Sequence, residues 1–162
     1  MLYLLDANVL ISAHEDYYGI DQVPQFWDWL LKVAKAGQVK MPFEIHQEIA
    51  ISEGPLSSWI TVAATKKVLV LDEEVDQDLV ERVLNDGYGP NLNDGELEKV
   101  GQDPFLVAYA LVVADRVVVT KEVSRPSKQR ANRKVPDVCS DLGVTWMKDF
   151  DFYKVLNFKT KY

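Results

Sequence analysis

The sequence is short of the residues that build several common kinds of site. It holds one cysteine, Cys139, in 162 residues. A lone thiol excludes an internal disulfide framework and suits a reducing compartment, so a cytoplasmic location is expected. Cys139 itself, next to a valine and far in sequence from either histidine, reads as a buried structural thiol. The two histidines, His14 and His46, have no partners at zinc-ligand spacing and are expected at the surface or the edge of the core. The longest uninterrupted apolar run, 105–114, falls short of the ~20 residues that span a bilayer. The first residues lack a basic cluster, so no signal peptide is expected. Positive charge is also scarce. Lys and Arg number 18 against 25 Asp and Glu, and the net charge of −7 argues against a generic nucleic-acid coat.

One segment reverses that balance. Between 121 and 134 lie Lys121, Arg125, Lys128, Arg130, Arg133 and Lys134, with Glu122 as the only acid. Such a run is either a solvated loop or a surface for phosphates. Four tryptophans default to core packing. Trp27 and Trp29, two apart, cannot share a helix face, which makes that helix a candidate interface.

The chain length suits a single domain, 1–162, with a sizeable core. Strands are expected at 1–5, 39–41, 68–71, 117–119 and 144–147. Helices are expected from Val9, over 21–36, 42–51, 55–65, 72–84 and 103–114, and from Pro136. Residues 85–101, rich in glycine and asparagine, read mainly as loop, with Asp94 and Glu96 capping a helical turn at Leu97. Alternating strands and helices predict a three-layer α/β/α sandwich around a mostly parallel sheet.

Ligand sites in such sheets lie beyond the carboxyl ends of the strands. Asp6 directly follows the first strand, where a carboxylate is expensive without compensation. Glu122 sits just after the strand at 117–119. Asp103 opens a helix, and Glu48 lies inside the helix after 39–41, with Glu44 as its nearest competitor. Asp6 and Asp103 would also serve as ordinary helix caps. If all four acids converge on one rim, two Mg²⁺ or Mn²⁺ ions would neutralise them.

These residues resemble a known family. "LLDANVLI" (4–11) is similar to the first motif of PIN-domain (VapC-like) nucleases, and "VKMPFEIHQEI" (39–49) to their second segment. "GQDPFLVAYAL" (101–111) and "VVVTKE" (117–122) resemble the third and fourth. The resemblance implies Asp6, Glu48, Asp103 and Glu122 as catalytic metal ligands, with Asn8 and Thr120 in support. The chain departs from the pattern at the fourth acid, where aspartate is usual. The ending "KVPDVCSDLGV" (134–144) looks like a less characterised branch and makes Asp137 an alternative or additional ligand.

The resemblance implies a Mg²⁺- or Mn²⁺-dependent nuclease, with RNA as the favoured substrate and the six basic residues of 121–134 as phosphate contacts. A protein antitoxin and a homodimer are open as partners, and no membrane is expected. Two alternatives stand beside it. A haloacid-dehalogenase-like phosphatase also starts strand then aspartate, but needs a second aspartate where Asn8 stands. A PIN fold kept only as a binding module is the other.

Overall fold

Leu2–Leu5 forms the first strand, β1, because a short apolar run flanked by a polar turn can be buried on both faces of a parallel sheet. A computed structural model describes residues 1–160. After β1 come α1 (Ala7–Ser12), a π-helical turn (Ala13–Tyr17), α2 (Pro24–Lys35), β2 (Val39–Lys40) and α3 (Phe43–Ala50). Then follow α4 (Pro55–Thr61), α5 (Ala63–Leu69), α6 (Gln77–Arg82), a second π-helical turn (Val83–Tyr88), α7 (Asp94–Val100) and α8 (Asp103–Leu111). The chain ends with β3 (Arg116–Val119), a 3₁₀ turn (Arg130–Asn132), α9 (Val135–Leu142), β4 (Thr145–Met147) and α10 (Asp149–Val155).

The four strands make one parallel sheet in the order β2-β1-β3-β4, covered by helices to give the α/β/α sandwich. β1 pairs with β3 from Leu2 opposite Arg116 to Leu5 opposite Val119. The chain leaves β1 toward β2 on one side, then returns to β3 on the other. The carboxyl ends of β1 and β3 therefore flank the point where strand order reverses, the usual place for a ligand crevice in open α/β sheets. The core beneath it contains Leu4, Leu5, Met41, Leu106 and Val118, all fully buried.

Proline in the first turn starts α2, α4, α8 and α9, where its missing amide hydrogen is harmless. Asn93 and Glu96 close a capping box on α7. Four sequence expectations need correction. The strand expected at 68–71 is absent: helix formers carry α5 to Leu69, and only Met41 and Val70 form a bridge. The helix expected at 55–65 breaks at Val62, whose ψ of 130° is extended. The segment 85–101 contains the whole of α7. His46, expected near the surface, is buried, with its Nε2 3.0 Å from the Ile60 carbonyl oxygen. The terminal helix α10 is an element beyond those expected from the sequence.

Candidate functional site

Asp6 emerges from β1 with its amide donating to the Val119 carbonyl at 2.9 Å. It stands at the N-cap of α1, yet its side chain makes no capping bond. Its Oδ2 instead accepts from the Thr120 hydroxyl at 2.8 Å and from the Asn8 amide at 3.2 Å. The Asn8 Oδ1 accepts from the Lys121 backbone at 3.0 Å, and the Glu122 amide donates to Thr120 Oγ1 at 3.2 Å. The strand ends of β1 and β3 are thus laced together through the Asp6 carboxylate.

Burial pushes the Asp6 carboxyl up to about 7, against the pull of the Thr120 hydroxyl and the Ala7 amide, and the charges of Glu122 and Glu48 push it further. Asp103, at the start of α8, is pushed up to about 8 by burial and then by Asp6, Glu122 and Glu48, with Lys134 opposing. Burial also raises Glu48. Four acids from four segments therefore share one electrostatic field. Glu44, one turn earlier on α3, is engaged elsewhere and accepts from the Tyr109 hydroxyl at 2.8 Å.

Glu122 and Asp137 part company here. Glu122 acts on both Asp6 and Asp103, while its Oε2 accepts from the Val135 amide at 2.7 Å at the start of α9. Asp137 is buried and accepts from the Ser124 hydroxyl and, at 2.7 Å, from the Arg125 amide. It stitches the basic loop to α9.

The basic residues separate too. Lys121 donates to the Tyr17 hydroxyl at 2.7 Å and pairs with buried Asp149 at 3.5 Å. Arg130 pairs with Glu96 at 2.7 Å and reaches the Pro90 carbonyl at 3.2 Å. Arg133 pairs with Asp141 at 2.6 Å and also donates to the Gly87 carbonyl. All three, expected as phosphate contacts, are engaged in ion pairs within the fold, and Arg133 also lines the cavity shared by Lys128 and Lys134. Arg125 takes part through its backbone amide. Lys128 and Lys134 line a cavity of about 270 Å³ with Asp103 and Glu122, joined by Tyr88 and Lys99. A wider groove of about 820 Å³, bordered by Phe43, Lys66 and Glu74 among others, contains none of these four acids.

Tyr88, Lys99 and Asp149 were missed by sequence reasoning. The triplet Gly87-Tyr88-Gly89 was a usable signal, since an aromatic residue between two glycines marks a tight, specific turn.

A sequence profile described as a domain of unknown function, DUF4411, matches residues 3–160. The chain belongs to the DUF4411 family. A comparison with curated proteins finds no match.

In this DUF4411 chain the converging acids offer only carboxylate oxygen, the donor type that Mg²⁺ and Mn²⁺ prefer. Among the described residues, no three His, Cys, Asp or Glu side chains are gathered into a ready metal cage. The donor chemistry fits a hard divalent cation. Among the described residues, no helix is long and apolar enough to cross a membrane.

Proposed function

We propose that this protein is a metal-dependent nuclease of the PIN type that hydrolyses phosphodiester bonds, with RNA as its substrate. The observation that carries the reading is the place of Asp6 and Asp103 at the reversal point of the sheet, both carboxyls lifted toward neutrality first by burial and then by the charges of neighbouring acids, Glu48 and Glu122 among them. Structural carboxylates are seldom packed together without a cation between them, and perturbed acids in a crevice mark a working site.

Asp6, Glu48, Asp103 and Glu122 would hold the Mg²⁺ or Mn²⁺. When bound, the ions would supply a reactive water and neutralise charge on the leaving oxygen. Thr120 and Asn8 aim the Asp6 carboxylate and fix its rotamer. The Val135 amide holds Glu122 beside the crevice. Lys134, whose charge acts on Asp103, draws a phosphate toward the acids. Asn8 occupies the place where a dehalogenase-like phosphatase needs its second aspartate, and its bonds to Asp6 and Lys121 make it an orienting group. The same reading includes a cytoplasmic location and a protein antitoxin as a partner.

The test is incubation of structured RNAs with wild-type protein and Asp6→Asn, with Mn²⁺ or with EDTA. Mn²⁺-dependent cleavage by wild type alone supports the proposal. Equal cleavage by Asp6→Asn, cleavage in EDTA, or none by wild type in Mn²⁺ overturns it.

A further inference from the structure

We infer that the cavity of about 270 Å³ beside the acids is a phosphate subsite, with Tyr88, Lys99, Lys128 and Lys134 as its binding side chains. That the phosphate belongs to a nucleic-acid strand rests on the nuclease reading. That the cavity binds phosphate does not.

The first observation is Tyr88. Its side chain is 4% exposed, and its hydroxyl has no hydrogen-bond partner. Tyr88 lines the same cavity as Asp103 and Glu122. Buried polar groups in folded proteins nearly always find a partner, and an orphan calls for a specific cause. An entering phosphate oxygen would accept from it.

The second observation is the lysines. Among the described residues, no carboxylate lies within ion-pair distance of Lys99, Lys128 or Lys134. Lysine binds phosphate as a compact point charge and can do so from several directions. Three such groups line one small space together with Asp103 and Glu122. Three lysines in one small cavity suit a phosphate, whose charge they would neutralise.

The third observation is how the wall is built. Arg133 holds the Gly87 carbonyl and Arg130 the Pro90 carbonyl, so the two arginines grip the chain on either side of Tyr88. Gly87 lets this turn press on α9: a Cβ there would stand 2.7 Å from the Val138 Cγ1. The arginines thus position Tyr88, and Arg133 also borders the cavity beside the lysines.

The test is calorimetric titration in EDTA, with inorganic phosphate and a short single-stranded oligoribonucleotide as probes. Wild type and Asp6→Asn should both bind. Tyr88→Phe keeps the ring and the packing, and should bind about tenfold more weakly with an unchanged salt slope. The Lys128→Ser/Lys134→Ser variant should weaken binding further and lower the slope by roughly 0.7 for each phosphate charge it no longer neutralises. Binding of both probes assigns the cavity to a terminal phosphate, and of the oligoribonucleotide alone to a backbone phosphate. Wild-type affinity in Tyr88→Phe and in the lysine variant overturns the subsite, even if Mn²⁺-dependent cleavage is normal. Tyr88-dependent binding without any cleavage upholds the subsite and removes the nuclease reading instead.

Discussion

Replacing Asp6 by asparagine should make the metal-free protein more stable at alkaline pH. The folded carboxyl is pushed up to about 7, from 3.8 in a solvated chain. Three units, at about 1.4 kcal/mol each, amount to about 4 kcal/mol of strain once the group is fully ionised. The sign follows from proton counts. Between about pH 4 and pH 7 the native state holds a proton that the unfolded state has released, so wild-type stability falls as pH rises through that window. Asp103, pushed up to about 8, extends the same trend upward. Asparagine carries no charge, and its amide oxygen can still accept from Thr120. In EDTA at pH 8 the variant should therefore be more stable than wild type by up to about 4 kcal/mol, at roughly 2 to 4 °C per kcal/mol. The difference should shrink toward zero near pH 4. Mn²⁺ should stabilise wild type and do much less for the variant. Urea or thermal unfolding across pH measures all of this. An equal difference at pH 4 and pH 8, or a less stable variant at pH 8, would refute the reasoning.

Three further perturbations separate the working groups from the structural ones. Glu122→Gln should abolish Mn²⁺-dependent cleavage at low metal, whereas Asp137→Asn should keep most activity and lose about 1 to 3 kcal/mol of stability by weakening its bonds to Ser124 and Arg125; paired cleavage and unfolding assays separate the two. Gly87→Ala should cost about 1 to 3 kcal/mol, because its Cβ meets Val138 and Leu142, and denaturant midpoints report it. Cys139, fully buried and with its thiol pushed well above the ordinary range by burial, should resist thiol reagents in the native protein and react only on unfolding; a timed labelling assay with and without denaturant checks this.

Three of the acids stood out in sequence because each follows a strand or opens a helix, whereas Glu48, inside α3, was distinguished from Glu44 only by the family resemblance. Asp6, Asp103 and Glu122 needed only their local context. The division of labour in the basic loop was not legible. Arg130 and Lys128 look alike in sequence, and only the position of α7 makes Arg130 the partner of Glu96. The glycines flanking Tyr88 mark a turn but not what that turn meets. The role of Tyr88 depends on a turn pressed against α9, a meeting across about fifty residues of chain. The strand expected at 68–71 failed on a different ground. Val68 to Leu71 have the β-branched and apolar character of a strand, but the preceding alanines and lysines extend a helix into it, and β2 offers room for a single bridge.

The lacing of β1 to β3 has a consequence for how the protein breathes. The Asp6 amide is bonded to Val119 and the Thr120 amide to Met147, extending the sheet's pairing one step past the carboxyl ends of β1 and β3. Hydrogens there exchange with water only when the sheet itself comes apart, at a free energy near that of global unfolding. The far wall, from Lys128 to Lys134, hangs on side-chain contacts at the surface, and such segments open locally at much lower free energy. One half of the crevice is thus held by the sheet and the other by side chains, so amide exchange should be slower at Asp6 and Thr120 than along 128–134.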